Sequence, residues 1–296
     1  ICVMTVKKLI INEDNSGRRI DNYLLSIFNS VPRSKIYNII RKGEVRVNSS
    51  RIKPSYRLEE GDQVRIPPNL DYTKSNSKKI DKKLIDKHTH NILFENKNYI
   101  ITNKQNNISV HSGTKNFIGL IDIFRKKYGD NIDLCHRLDK TTSGCLVFGK
   151  NKKAIKNFTD CLLNKKVKKT YTAVIKGSFE GEEVINKAIY KNDKSKSKNA
   201  TSKFLCVELL RNTTLVDIKI FTGRTHQIRI HASQINHPIL FDKKYGDTKF
   251  DKSLNIGKYS IALHSKEISF SDTDSNIIKA SCDYPKDFND LIDKLR

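Results

Sequence analysis

Nothing in this chain closes a metal finger, and nothing in it would hold the chain in a lipid bilayer. The six cysteines, at positions 2, 135, 145, 161, 206 and 282, fall singly, with no CxxC pair and no CxxC…HxxxH spacing. That pattern argues against structural zinc and for buried free thiols in a reducing compartment. No apolar run is long enough to span a membrane and no basic, apolar, small-residue leader is visible, so a soluble cytoplasmic protein is expected. Acidic residues are scarce too: 32 Asp plus Glu stand against 56 Lys plus Arg, a formal net charge of +24 over 296 residues. Such an excess draws polyanions through a salt-dependent field, and an acidic membrane surface would answer to the same field. A nucleic-acid partner is therefore expected, with its identity open.

The length suggests about two domains. Residues 18–68 are compact and mixed, whereas 69–90, reading NLDYTKSNSKKIDKKLIDKHTH, are polar and Lys-rich, the composition of a linker. In the first segment Ile20, Leu24, Leu25 and Phe28 follow helical spacing, and Ile36, Ile39 and Ile40 predict a second helix after Pro32 and a Ser34 cap. Val45, Val47 and Ile52 alternate about a turn at Asn48, Ser49 and Ser50, and a closing strand is expected over residues 63–66. Arg33, Lys35, Arg41 and Lys42, with Arg46, Arg51 and Lys53, would form a basic face, either an RNA-binding surface or simply a solvated one.

The most informative stretch is HRLDKTTSGCLVFGK, residues 136–150. Cys145, Leu146, Val147 and Phe148 form a short apolar run between Gly144 and Gly149, which predicts a buried strand. Asp139 would then sit on a rigid support, with Lys140, Thr141, Thr142 and Ser143 as a turn whose hydroxyls and amides could orient it. The plainer alternative is an aspartate that only caps a turn.

The string as a whole resembles the signature of the RluA family of pseudouridine synthases, with His136, Arg137, Asp139, Thr142, Ser143 and Gly144 as matching positions. Two later blocks agree in order: Lys169 to Ala173 resembles the family's tyrosine motif, and TGRTHQIR, residues 222–229, its arginine motif. The resemblance implies Asp139 as the catalytic residue, Tyr171 packed against the target base and Arg229 paired with the carboxylate. His136, Arg137, Lys169 and Arg224 are implied as substrate-binding. In the first segment RIDNYL, VPRSKIYNIIRKGEVRVN and LEEGDQV are similar to an S4 RNA-binding domain. There Arg33, Lys35, Arg41 and Lys42 would grip phosphates and RNA shape.

The implied fold is α+β: an S4 domain over 18–68, a linker over 69–90 and a mixed catalytic domain over 91–296 with a central, largely antiparallel sheet. The implied reaction cleaves C1′–N1, rotates the uracil and rejoins it through C5; since no atoms enter or leave, no cofactor or metal is needed. The S4 stretch and NHPILFDKKYGD, residues 236–247, are similar to a family branch acting on 23S ribosomal RNA. This implies 23S RNA or a large-subunit assembly intermediate as partner, and a monomer. Other ribosomal or transfer RNA uridines, or a noncatalytic S4-type assembly protein, remain the alternatives.

Within the second segment, strands are expected over 92–94, 99–102, 171–175 and 214–221, the last half-exposed, and helices over 152–164 and from near His226, with Arg229 in its first turn. His226 and His231 lie on different faces of such a helix beside Arg224 and Arg229, an arrangement hostile to a metal ion. Hydrogen bonding that secures the helix is the expected role for both. Lys165, Lys166, Lys168 and Lys169 are read as an RNA-backbone contact beside Tyr171, and residues 191–203 as a second Lys-rich loop. One departure from the family stands out: where a Lys-Pro pair is usual, this chain has Lys104, Gln105, Asn106 and Asn107 before His111, Ser112 and Gly113.

Overall fold

The computed structural model describes residues 7–28, 31–68, 70, 80–112, 118–190 and 197–296, and the chain divides into two compact units, Ile1–Lys79 and Ile80–Arg296. In the first unit β1 (Lys7–Ile10), α1 (Ile20–Ile27), α2 (Arg33–Lys42), β2 (Arg46–Val47), β3 (Ser50–Arg51) and β4 (Gln63–Ile66) follow in order, and the strands form a sheet ordered β1-β4-β2-β3. Helical spacing puts Ile20 and Leu24 of α1, with Phe28 at its end, on the same core as Ile36, Ile39 and Ile40 of α2. Val45, Val47, Val64 and Ile66 close that core from the sheet. Ser34, expected as a cap, lies inside α2: Pro32 flanks its start, and a ring-fixed φ suits that place. Gly43 ends α2 in the left-handed region, its N–H bonded to the Ile39 and Ile40 carbonyls. Asn48 and Ser49, both at positive φ, make the tight turn joining β2 to β3. Arg33, Lys35, Arg41 and Lys42 are all exposed.

Of the stretch read as linker, residues 69 and 71–79 lie outside the described residues, and the second unit begins within it at Ile80. The later part of that stretch is a helix, α3 (Lys82–Thr89), which the side chain of Asp81 caps at the Leu84 N–H. Leu84 and Ile85 of α3 pack on the core of this unit, so two apolar residues on one helical face suffice where the surrounding lysines suggest open chain. There follow β5 (Ile92–Glu95), β6 (Tyr99–Lys104), α4 (Leu120–Tyr128), β7 (Asp133–Leu134), β8 (Ser143–Gly149), α5 (Lys152–Leu163) and β9 (Lys168–Lys176). Next come β10 (Glu182–Asn186), β11 (Ile189–Tyr190), β12 (Ser197–Lys198), β13 (Thr201–Leu210), β14 (Thr213–Ile220), α6 (Gln227–Gln234), α7 (Thr248–Ser253), β15 (Leu263–Ser271), β16 (Ile277–Ser281) and α8 (Lys286–Leu295).

A ten-stranded sheet runs β10-β13-β14-β9-β15-β8-β6-β5, with β16 beside β15 and β7 beside β8. Every pairing in it is antiparallel except β15 with β8. The continuous apolar run of β8 follows from burial on both faces. Leu146 and Phe148 point into one cluster, where Phe148 stacks on Phe124 of α4 at 4.1 Å. Cys145 and Val147 point into another, with Ala154, Phe158 and Cys161 of α5. β14 is likewise flanked by β13 and β9 and buried over most of its length, so the half-exposed strand expected there is wrong for Leu215, which is buried with Val216 and Ile218. Of the cysteines, Cys2 lies outside the described residues; Cys135, Cys145, Cys161 and Cys282 are buried free thiols and Cys206 is half-buried.

The one parallel pairing explains the glycine that follows Ser143. Gly144 has φ +108, and a Cβ there would stand 2.2 Å from the Ser265 carbonyl oxygen of β15. Any side chain would push β8 off its neighbour. Gly144→Ala is expected to lower unfolding stability by ~2 kcal/mol or more, through strained φ and backbone overlap. Urea unfolding of the full chain checks this; an unchanged midpoint would show that the β8–β15 contact yields.

Candidate active site

Asp139 stands in the connection between β7 and β8, where the Thr142 N–H bonds to its carbonyl at 3.1 Å and Leu138 is buried beneath it. The turn is tied from the side by a buried lysine. Lys104, at the end of β6, donates from Nζ to the carbonyls of Gln105 at 2.9 Å, Ile108 at 3.1 Å and Lys140 at 3.2 Å. Burial pushes this ammonium down to about 7, and the charge of Asp139 acts in the opposite sense. The missing proline of the Lys104–Asn107 loop is replaced by Asn107 in the left-handed region, φ 65, a conformation asparagine tolerates. Ser143, expected in the turn, begins β8 instead, and its hydroxyl lies 2.8 Å from His264 Nδ1.

Facing Asp139 is the first turn of α6. The approach from β14 is clamped by Gln227, whose side-chain oxygen accepts from the Thr222 hydroxyl at 2.7 Å and the Arg224 N–H at 3.1 Å. Its amide nitrogen donates to Thr201 O and Ser202 Oγ, both at 2.9 Å. His231 locks the same helix from behind, with Nδ1 3.0 Å from Ser202 Oγ and Nε2 3.1 Å from the Lys187 carbonyl. These contacts account for Thr222, Gln227 and His231 of TGRTHQIRIH as scaffolding.

They also aim Arg229. Its NH1 donates to Asp139 Oδ2 at 3.3 Å, while its Nε and NH2 form a two-pronged bond to Asp242 at 2.7 and 2.6 Å. The pairing of Arg229 with Asp139 is thus a single, longer bond, and the bidentate grip goes to Asp242. Asp242 is 1% exposed and also accepts from the N–H groups of Lys244 at 2.9 Å and Tyr245 at 3.2 Å. Desolvation alone would raise its pKa, but these bonds hold it below the ordinary carboxylate value. Sequence reasoning missed it as a site residue; it sits in a tight loop closed by the Gly246 N–H on the Asp242 carbonyl at 2.8 Å. The close approach is visible at Gly246, where a Cβ would meet the Asp242 carbonyl oxygen at 2.4 Å.

A cavity of about 570 Å³ opens in front of this arrangement, lined by Arg137, Asp139, Lys169, Tyr171, His226 and Arg229 among others. Tyr171, central in β9, is buried, and that burial pushes its phenol above the ordinary value. Lys169 enters the same wall with its ammonium lowered to about 8 by loss of water. Arg137 and Arg224 are at the lining, and Arg224 Nε donates to the Asn199 carbonyl at 3.3 Å. His136 is differently employed: the Val147 N–H donates to its Nε2 at 3.2 Å and its ring stacks on Phe158 at 5.8 Å. Arg33, Lys35, Arg41 and Lys42 belong to the other unit. Residues 191–196 of the second Lys-rich tract, and Gly113, lie outside the described residues. The geometry offers a fixed carboxylate, a flat aromatic wall and a cationic lining around a space large enough for a ringed ligand.

Residues 98–234 match the family model described as RNA pseudouridylate synthase, and residues 18–64 match the S4 domain. "Ribosomal large subunit pseudouridine synthase C" of Haemophilus influenzae is 42% identical over 282 residues, 90% of this chain and 87% of that protein. The protein of that name from Vibrio cholerae is 36% identical, over 90% of this chain and 89% of its own length. Among solved structures, human RNA pseudouridylate synthase domain containing 4 superposes with a TM-score of 0.62 at 22% identity, over 72% of this chain and 95% of that one, a likeness of fold. With both family models in sequence order and such identity along nearly the whole chain, this protein belongs to the RNA pseudouridylate synthase family, an RNA-isomerising enzyme with an amino-terminal S4 domain.

Proposed function

We propose that the chain converts particular uridines of 23S ribosomal RNA to pseudouridine, acting as a cytoplasmic monomer on the RNA or on a large-subunit assembly intermediate. The name of the relatives supports the ribosomal large subunit as target. Within the site, the observation that carries the reading is the Asp139 carboxylate, fixed at the cavity by an arginine that Asp242 holds in place.

In this reading Asp139 acts at the ribose while C1′–N1 breaks, either attacking C1′ or removing a sugar proton. Arg229 keeps the carboxylate ionised and aimed. Tyr171 offers its ring to the uracil, and stacking on an unpaired base is worth ~1–3 kcal/mol, enough to favour a uridine withdrawn from its helix. The cavity confines the detached base, so that rotation competes successfully with escape. Arg137, Lys169 and Arg224 neutralise RNA phosphates at the mouth, and Arg33, Lys35, Arg41 and Lys42 add sequence-independent grip.

Pseudouridine mapping across 23S RNA, in cells lacking this protein and complemented with the intact chain or Asp139→Ala at matched expression, tests the whole reading. Modification is expected to vanish at a discrete set of uridines and to return with the intact chain alone; return with the alanine variant would remove Asp139 from the chemistry. Asp242→Asn leaves Arg229 in place but loosens its aim. Single-turnover rates are expected to fall by ~10²-fold with RNA affinity unchanged, since small misplacements of a positioning group cost that much. An unchanged rate would make the Asp242 pair purely structural. Replacing Arg33, Lys35, Arg41 and Lys42 by Ser is expected to flatten log affinity against log salt by roughly 0.7–0.9 for each phosphate no longer neutralised. If the slope stays as in the parent, that face is only solvated.

A further inference from the structure

The proposed isomerisation ends on a proton transfer at C5, a step separate from the one Asp139 performs at C1′. When the detached uracil anion rejoins the sugar through C5, that carbon carries both the new bond to C1′ and its original hydrogen, and the ring double bond lies at N1=C6. Loss of the C5 proton returns the C–H electron pair to a C5=C6 bond. The N1=C6 pair then moves onto N1, which takes a proton from water. A base must face C5 at that moment. Because N1 and C5 bond the same ribose carbon in turn, C5 then stands beside the group that acts on C1′. The base therefore lies close to the Asp139 carboxylate, on the cavity side.

Few side chains meet that condition. Tyr171 is buried, with its phenol raised above the ordinary value, so it already holds its proton. Lys169, lowered to about 8, is still mostly an ammonium at neutral pH. His136 has its Nε2 occupied by the Val147 N–H. His226 remains. Its Nε2 stands 3.7 Å from Asp139 Oδ2, beyond hydrogen-bond length, so its lone pair is near the carboxylate without being committed to it. Its Nδ1 lies 3.1 Å from the Tyr245 hydroxyl, which fixes the ring.

Two features argue that this imidazole is more than scaffolding. His226 occupies the N-cap position of α6, yet its side chain makes no capping bond. Its backbone is left-handed, φ 56, a conformation uncommon outside glycine and retained chiefly where the surroundings over-determine it. The groups facing the ring are Asp139, Arg229, Asp242 and Lys244; burial first, with the two cations, outweighs the carboxylates and lowers the pKa, leaving the ring neutral at pH 7. The side chain is 25% exposed, so an acquired proton has a path to water.

We infer that His226 is a further catalytic residue, the base that takes the C5 proton at Nε2 while its Nδ1–H donates to the Tyr245 hydroxyl. This assignment rests on Asp139 acting at C1′. The test uses full-length protein and 23S RNA transcribed with UTP either unlabelled or deuterated at C5. His226→Asn is the variant of choice, because asparagine tolerates the left-handed backbone but carries no basic nitrogen; His226→Gln stands behind it should the first fail to fold. Single-turnover pseudouridine formation is expected to slow by ~10²-fold. The deuterium isotope effect should rise well above that of the wild type, and added imidazole should restore part of the rate. A slowed variant with an unchanged isotope effect and no rescue, or a variant with the wild-type rate, would overturn the assignment. Failure of the wild type itself to isomerise the RNA would instead strike at the proposed function.

Discussion

The guanidinium of Arg229 joins two carboxylates that come from separate segments of the chain. Asp242 takes two of its nitrogens at 2.6 and 2.7 Å, and Asp139 takes the third at 3.3 Å. The asymmetry sets the division of labour. A buried ion pair missing one partner is penalised by about 3–5 kcal/mol, so the short pair is the one the fold protects. Asp139, on the longer contact, lines the cavity and keeps part of its side chain exposed. Asp242 is in turn fixed by backbone amides of its own turn, which means that main chain, not another mobile side chain, anchors the relay.

That relay would be useless if the segments bearing Asp139 and Arg229 could slide. β8 is covered on both faces by separate apolar clusters, and it is pinned laterally by a parallel contact so close that only Gly144 fits. α6 is held by Gln227 and His231 to Ser202 of β13, two strands away from β9 in the sheet order. Tyr171 belongs to β9, which pairs with both β14 and β15. The three motif residues thus hang from one continuous hydrogen-bonded sheet, and their separations are set by strand spacing.

Much of this is legible in the residues. The glycine-bounded run 145–148 is a buried strand, β4 covers the span expected for it, and Arg229 falls in the first turn of α6 as the Gly223 turn requires. What stays hidden is long-range. Asp242 lies thirteen residues beyond Arg229, outside any local pattern, and nothing in its neighbourhood distinguishes a buried acceptor from a turn aspartate. α3 is masked by its lysines, since periodicity over two apolar residues carries little signal. The tuning of Lys104 and Lys169 comes from burial, and burial is a property of the packed chain rather than of composition. Spacing makes His226 a piece of scaffolding, because spacing shows which face a residue occupies and says nothing of what lies opposite it.

The same residues settle a conflict that the overall charge conceals. A net charge of +24 draws the protein to RNA, yet Asp139, the proposed reacting group, is acidic, and RNA phosphates would repel its carboxylate. Asp139, Asp242 and Arg229 together carry one negative charge more than they neutralise. The cavity lining also carries Arg137, Arg224, Lys165 and Lys169. In the proposed reading these cations hold phosphates while the uridine, which is uncharged, reaches Asp139. In that reading long-range attraction and short-range chemistry fall to different groups of the lining, and His226, its pKa lowered chiefly by burial, stands 3.7 Å from Asp139.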